Sequence, residues 1–239
     1  MRTLPLLLLP LAAACVLGPV TVAEDELSFT DEVHRVVIDA GAGDVEVVRA
    51  DVASTEVDRT MRYSGEAPTM TANVRDGVLT LRVQCRPLQR QCSVDHIVRL
   101  PDDASVVVDV GAGDVYVRDL AGKVDVDTGS GDVELVDIVG SVVATTGSGS
   151  VDGDGLVSKD VVVDTGSGDV TLDLLEAPSE VDIDTGSGDV RLDLPGGRYA
   201  LSTDTGSGDV RVNGITADRA SGRRLNVDTG SGDVVIKGH

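Results

Sequence analysis

The chain of 239 residues carries 41 acidic and 20 basic side chains, which gives a formal net charge of −21. Phosphate backbones and anionic lipid headgroups repel such a surface, so nucleic acid is excluded as a partner and a membrane is expected only through a lipid anchor. With no Trp and a single Phe, the interior must be built from Val, Leu and Ile, whereas a globular enzyme of this length normally has more aromatic bulk.

Residues 1–23 have the pattern of an export leader. The apolar run Leu4–Leu11 is too short to span a bilayer and matches the hydrophobic region of a signal peptide. Two processing sites compete. The residues before Cys15 resemble a bacterial lipobox, which would make Cys15 a lipidated N-terminus, and the small residues up to Ala23 resemble an ordinary cleavage site. We favour lipidation at Cys15, and either site predicts an exported protein of the cell envelope.

Residues 35–110 show strand patterns with few glycine corners. Alternating apolar residues occur at Glu56–Tyr63, Gly77–Val83 and His96–Leu100, and Asp76-Gly77 is a turn signal between them. We predict that this segment forms irregular coils and that residues 111–239 form tandem repeats. No linker separates the two, so residues 24–239 are expected to form one elongated domain.

Two cysteines, Cys85 and Cys92, lie close together within the irregular part. In an oxidising envelope such a pair predicts a disulfide that closes a short projecting loop. A metal site is disfavoured because only His96 lies near enough in sequence to add a ligand.

The string Asp-Thr-Gly-Ser-Gly-Asp-Val recurs five times without change along the second half of the chain. The copies begin at Asp127, Asp164, Asp184, Asp204 and Asp228, shorter variants occur at Gly41–Val45 and Gly111–Val115, and a degenerate copy spans Thr146–Val151. From Gly111 onward the copies are 18 to 24 residues apart. A period near twenty indicates a small unit that is stable only when stacked on its neighbours.

Each unit alternates apolar and polar residues on both sides of its glycines. Val124 and Val126 share one face before the corner, and Val133 and Leu135 share one face after it. This pattern predicts two half-buried strands joined by a tight glycine corner. We predict an all-β fold, a right-handed parallel β-solenoid with coils of about 20 residues. The alternative is an antiparallel β-meander or sandwich, in which each Gly-Ser-Gly would be a hairpin turn.

Gly-Ser-Gly-Asp-Val partly resembles the repeat of calcium-binding β-rolls, and stacking such coils places like aspartates in columns, so the alternative is a calcium-binding β-roll-like surface protein. The column after the glycines comprises Asp132, Asp169, Asp189, Asp209 and Asp233. Carboxylates about 4.8 Å apart repel one another, and a hard cation would relieve that repulsion. We favour a structural role, in which each aspartate caps the backbone N–H groups of its own corner, and therefore predict no cofactor.

Two enzymatic interpretations are weaker. Val-Asp-Thr-Gly-Ser matches the active-site string of aspartic proteases, but that chemistry needs two carboxylates between two large lobes, and copies about twenty residues apart cannot build them. A polysaccharide-processing β-helix enzyme needs carboxylates beside a base on one distinctive coil. Arg191 and Arg211 occupy equivalent slots and could form a basic row, yet no coil differs from the rest.

The export leader, the strand run ending in Val98-Arg99-Leu100-Pro101 and the repeated (Val/Ile)-Asp-Thr-Gly-Ser-Gly-Asp-Val together resemble the bacterial putative-adhesin family of β-strand-repeat envelope proteins. The likeness covers roughly residues 35–239. It implies a β-helical surface or periplasmic protein without enzyme activity, and it assigns no functional residues. We therefore expect a non-enzymatic, adhesin-like or scaffold protein whose partner, a glycan or a protein, the sequence does not identify.

Overall fold

The structure, a computed structural model, describes residues 19–101 and 103–239. Within these ranges it has strands and no helix. In chain order the strands are β1 (Val20–Phe29), β2 (Arg35–Ala40), β3 (Val45–Arg49), β4 (Thr55–Ser64), β5 (Thr69–Arg75), β6 (Val78–Gln84), β7 (Cys92–Leu100), β8 (Ser105–Val110), β9 (Val115–Arg118), β10 (Val124–Thr128), β11 (Val133–Val136), β12 (Val142–Thr146), β13 (Val151–Leu156), β14 (Asp160–Thr165), β15 (Val170–Leu174), β16 (Glu180–Thr185), β17 (Val190–Leu194), β18 (Arg198–Thr205), β19 (Val210–Asn213), β20 (Thr216–Ala217), β21 (Arg224–Thr229) and β22 (Val234–Gly238).

The strands form two facing sheets of eleven. The first sheet has the order β1-β4-β7-β3-β9-β11-β13-β15-β17-β22-β19, and the second has the order β20-β18-β21-β16-β14-β12-β10-β8-β2-β6-β5. The chain runs along one strand of the second sheet, turns at a glycine corner and returns along a strand of the first. At a spacing of about 4.8 Å per strand, each sheet is about 50 Å long.

This arrangement confirms the predicted parallel β-solenoid. The strands that flank Gly129–Gly131 belong to different sheets, and each pairs in parallel with its equivalents in neighbouring coils. Val124, Val126, Val133 and Leu135 are fully buried, as their alternation predicts. The meander is wrong because the two strands of one coil face each other across the core and share no hydrogen-bond ladder.

The N-terminal end is a cap in which parallel and antiparallel pairing are mixed. Strands β6 and β7 continue the stack beside β2 and β3, in line with the predicted irregular coils. Strands β1, β4 and β5 pair antiparallel, and β1 and β5 are the outermost strands of the two sheets at this end. The predicted turn at Asp76-Gly77 joins β5 to β6, with φ angles of 51° and 70° that suit a tight hairpin turn. Strand β1 begins at Val20, so the last residues assigned to the leader lie in a strand.

The C-terminal coil departs from chain order. Strands β21 and β22 insert between the β16/β17 coil and the β18/β19 coil, so the last repeat is not the last in the stack. The expectation that Arg191 and Arg211 form a basic row is therefore wrong, because Val235 lies between them in the ladder. Polarity explains the order: the inserted coil has buried Leu225 and Val227, whereas the outer coil has the polar Thr203 in the slot equivalent to Val227.

A single aliphatic core runs between the two sheets from the cap to the C-terminal coils. Among the described residues, its one fully buried aromatic side chain is Tyr199, which donates a hydrogen bond to the Pro195 carbonyl at 2.7 Å and whose ring lies 5.9 Å from the Arg223 guanidinium. Across residues 19–101 and 103–239, no helix is long and apolar enough to cross a membrane.

Candidate functional site

The repeated glycine corner is the feature that most demands an explanation. At Gly131, φ is +150°, a backbone angle that residues with a side chain rarely adopt. An added Cβ there would lie 2.0 Å from the carbonyl oxygen of Gly113 in the preceding coil. At Gly129 φ is ordinary, but an added Cβ would still lie 2.5 Å from the Gly111 carbonyl. The glycines are needed because consecutive corners stack backbone on backbone.

The aspartate after the glycines forms a hydrogen-bonded ladder between coils. The Oδ1 atom of Asp132 accepts the backbone N–H of Ser150 at 2.7 Å, and the N–H of Asp132 donates to Asp114 at 2.9 Å. The same bond joins Asp44 to Asp95, Asp114 to Asp44, Asp189 to Asp169, Asp233 to Asp189, and Asp209 to Asp233. The expectation that each aspartate caps its own corner is therefore wrong: each carboxylate caps the corner of the adjacent coil.

The other motif residues also bond to neighbouring coils. Thr146, which is buried, donates from Oγ1 to the Gly131 carbonyl at 3.0 Å. The Gly131 N–H donates to the Ser148 carbonyl, and the Val133 N–H donates to the Ser150 carbonyl. Threonine, glycine, aspartate and valine of the motif thus each have a partner outside their own coil. The faithful repetition follows, because a change at any one slot also affects the coil beside it.

The aspartate ladder is interrupted once, at Ser150, because serine supplies no carboxylate for the next coil. A shallow depression of about 410 Å³ lies on the outer face nearby. It is lined by Glu134, Leu135, Val136, Asp152, Gly153, Asp154, Thr171 and Asp173. Burial and the negative charge of Asp132 raise the pKa of Asp152 above its usual range.

The candidate calcium residues Asp132, Asp169, Asp189, Asp209 and Asp233 do lie in one column, in the stack order 132, 169, 189, 233, 209, with Ser150 between the first two. In four of them one carboxylate oxygen already accepts a backbone N–H. The Arg211 guanidinium also bonds Asp233 and Asp209, and the Asp209 N–H and Arg211 hold the pKa of Asp233 below its usual range. Among the described residues, no group of three or more His, Cys, Asp or Glu side chains is arranged to hold a metal ion.

A second row of aspartates lies on the outer face of the other sheet, just before the corners. In ladder order it contains Asp39, Asp109, Asp127, Thr145, Asp164, Asp184, Asp228 and Asp204. Within the described chain, the last four accept no hydrogen bond from a side chain or backbone group, and all are at least partly exposed. This row is the most regular chemical feature that faces solvent.

The enzyme interpretation singles out Arg191 and Arg211 as its possible basic residues. Arg191 lies in a shallow depression of about 240 Å³ with Asp169, Asp189 and Asp233. Each of these three carboxylates accepts a backbone N–H through Oδ1. These oxygens therefore take part in the bonds between coils.

A buried polar row in the cap was not expected from the sequence. Asp25, Arg59 and His96 are direct neighbours across β1, β4 and β7, and all three face the core. Arg59 is 6% exposed and forms an ion pair with Asp25. Burial and the positive charge of Arg59 lower the pKa of His96 to about 4. The available signal was three polar residues at inward positions of otherwise alternating strands.

Cys85 and Cys92 are joined by a disulfide, with Cα atoms 6.0 Å apart. It closes the loop between β6 and β7, which projects from the cap. The predicted lipidation site, Cys15, lies outside the described residues.

The family model for Toastrack DUF4097 matches residues 24–238, nearly the whole chain. The chain belongs to the Toastrack DUF4097 family. This family assignment agrees with the solenoid-like β fold. No curated protein sequence matches the chain significantly.

Solved structures resemble this Toastrack chain at low sequence identity. A putative lipid binding protein from Parabacteroides distasonis has a TM-score of 0.51 at 12% identity, over 90% of this chain and 96% of its own. A putative cell adhesion protein from Clostridium sporogenes has a TM-score of 0.44 at 12% identity, over 92% and 100%. A putative adhesin from Bacteroides fragilis has a TM-score of 0.44 at 11% identity, over 91% and 97%. At these identities the likeness concerns the fold.

Proposed function

We propose that this protein is a non-enzymatic protein of the cell envelope that presents a rigid acidic β-rod, either for adhesion or as a scaffold. The observation that carries the proposal is that the two aspartate columns differ in what their carboxylates contact. The corner column is used in bonds between coils, whereas the row through Asp164, Asp184 and Asp228 faces solvent at the regular strand spacing. A repeated outer face suits a repetitive partner better than a single small substrate.

The resemblance of the sequence to the β-strand-repeat adhesins supports this proposal. The adhesin names of two structural neighbours point the same way, although those names describe the neighbours alone. The partner we propose is a surface glycan or protein with positively charged or polar groups at a regular spacing.

Binding of the mature protein to glycan and matrix-protein arrays tests this function. We expect binding that weakens when Asp164, Asp184 and Asp228 are replaced together by Asn. The matched control replaces Glu24, Glu26 and Glu32, three exposed carboxylates on the cap, by Gln. Equal loss in both variants would mean that only total charge matters. Release of reducing ends from an arrayed polysaccharide would replace the proposal with the β-helix enzyme.

We also propose that the protein is exported and lipidated at Cys15. The first four residues of β1 pair with β4, from Val20 opposite Ser64 to Ala23 opposite Met61. Cleavage after Ala23 would remove this part of the strand, whereas processing at Cys15 leaves β1 whole. Mass spectrometry of the mature N-terminus tests the choice: a diacylglyceryl group on Cys15 supports it, and an unmodified Glu24 terminus contradicts it.

Calcium binding at the corner column is the second candidate function, and we expect it to be weak. One oxygen of Asp132, Asp169, Asp189 and Asp233 is already engaged, which leaves each step short of the six to eight ligands that calcium prefers. The melting temperature should change little when calcium replaces chelator at matched ionic strength. A rise above about 10 °C at millimolar calcium would require several kcal/mol of binding to the native state and would support the calcium site.

A further inference from the structure

The disulfide loop exposes a leucine in a constrained position. Leu88 is completely exposed and has a φ angle of +68°, which is unusual for a residue with a branched side chain. The loop is held on both sides, because the disulfide closes its base and Gln89 donates hydrogen bonds to the carbonyls of Ser64 and Glu66 at 2.9 and 2.8 Å. The fold therefore holds one apolar side chain in solvent on a braced loop.

Other exposed apolar residues lie at the same corner of the cap. The start of β1 pairs with the end of β4, Val20 opposite Ser64, and the end of β4 pairs with the first residue after the loop, Tyr63 opposite Cys92. Val20 and Val22 are 46% and 59% exposed. The loop and the first residues of β1 thus form one apolar corner, defined here as residues 20–22 and 85–92.

The charge of this corner differs from that of the rod. The loop contains Arg86 and Arg90 and no carboxylate, and Arg86 forms an ion pair with Glu66 outside the loop. The tandem coils extend from the other side of the stack, and at physiological ionic strength charges are screened over about 8 Å. The expectation that the acidic chain avoids anionic lipid therefore need not hold at this corner.

We propose that the apolar corner is a docking surface for a phospholipid bilayer, with Leu88 inserted among the headgroups and Arg86 and Arg90 near lipid phosphates. The position of the chain's N-terminal segment supports this partner. Val20 is five residues from Cys15, a distance of at most about 17 Å along an extended chain. If the proposed anchor at Cys15 is present, it brings this corner to the membrane and supplies the second attachment that a single weak contact needs. Docking would leave the rod and its aspartate row directed away from the surface.

The chain has no tryptophan, so one introduced tryptophan reports on a single position. The test uses the chain from residue 15 onward with Cys15→Ser, which lacks both the apolar leader and the anchor, and compares Leu88→Trp with Leu175→Trp. Leu175 is also exposed, at 52%, but lies on the rod. With vesicles of phosphatidylcholine and phosphatidylglycerol at millimolar lipid, we expect a blue shift and quenching by brominated lipid at position 88 and neither at position 175.

Arg86→Gln with Arg90→Gln, made in the Leu88→Trp background, should weaken partitioning about tenfold, and the effect should shrink at high salt. Emission from position 88 that does not respond to vesicles would overturn the proposal, and so would an equal response from position 175. This experiment measures lipid insertion of a protein that has no anchor. A negative result would therefore reject the docking proposal alone, whereas the binding arrays test the adhesin-like function and mass spectrometry tests lipidation at Cys15.

Discussion

Replacing one corner glycine should destabilise the rod by an amount that depends on how the neighbouring coil is stacked. Gly131→Ala forces a Cβ to within 2.0 Å of the Gly113 carbonyl and gives alanine a φ of +150°. The backbone strain costs about 1–3 kcal/mol. The displaced corner also lengthens the hydrogen bonds from Gly131 to Ser148 and from Asp132 to Asp114, at about 1 kcal/mol each. The expected loss is about 3–5 kcal/mol.

The chain supplies matched controls for this substitution. Gly129→Ala meets the Gly111 carbonyl at 2.5 Å with an ordinary φ, so it carries the steric cost alone, about 1–3 kcal/mol. Gly41→Ala meets nothing within 4 Å, because the cap beside its coil has no glycine corner. Its effect should lie within about 1 kcal/mol and favour the folded state through the stiffer unfolded chain.

Equilibrium unfolding in urea of the full chain measures the series. With a slope of about 3 kcal/mol/M for a chain of this size, Gly131→Ala should lower the midpoint by about 1–1.7 M. Gly129→Ala should lower it less, and Gly41→Ala should leave it nearly unchanged. Gly129 and Gly41 occupy the same position of the corner with ordinary φ angles and differ in the coil stacked beside them, so equal midpoints for Gly129→Ala and Gly41→Ala would refute the claim that stacking requires the glycines.

Three further predictions concern the ladder and the cap. Asp132→Ala should lower the free energy of unfolding by about 1–2 kcal/mol because the Ser150 N–H loses its acceptor. Asp132→Asn keeps an acceptor oxygen and should be no less stable than the parent. Identical losses of stability in the two variants would argue against the ladder. Cys85→Ser with Cys92→Ser should cost about 2.5 kcal/mol, the entropy of an eight-residue loop, and reductant should have no further effect on that variant. Below pH 6.5 His96 becomes protonated in the unfolded chain, whereas in the folded protein its pKa of about 4 keeps it neutral, so the free energy of unfolding should fall by about 3 kcal/mol as the pH drops from 6.5 to 4. His96→Leu should lack this pH-dependent loss. Parallel curves of stability against pH for the parent and His96→Leu would contradict the prediction.

Alternation and the glycine period predict the solenoid because both are local consequences of a coil with one buried face. Val124 and Leu135 are buried as expected, and the flanking strands fall in separate sheets. The order of the last two coils could not be predicted in this way. Identical motifs make the coils after Asp204 and Asp228 interchangeable at the corner. The order depends on which coil can leave its inward-facing side chains partly exposed at the open end of the stack, and the coil that contains the polar Thr203 can do so.

The site was predicted less completely than the fold. The prediction that the aspartates lie in one column was correct. Their hydrogen-bond partners could not be predicted, because these depend on the position of each carboxylate relative to the next coil, which is known only from the stacked structure. The antiparallel cap was missed for a similar reason. Its strands, such as β1 and β5, have the same period as the others, and pairing direction is set by distant contacts such as Asp25 with Arg59.

The exact repetition of the corner motif therefore describes how the rod is held together and says little about what it binds. Threonine, glycine and the second aspartate are each bonded to an adjacent coil, so a change that adapted one of them to a ligand would remove a bond between coils. A ligand-binding surface is better sought among residues that do not form bonds between coils. Two places meet that condition: the aspartate row before the corners, whose carboxylates face solvent, and the cap corner, where Leu88 and Arg90 occur on a braced loop outside the repeat. The first suits a partner approached along the side of the rod, and the second suits a surface met at its end, so one molecule can be held at the membrane while its acidic face remains accessible.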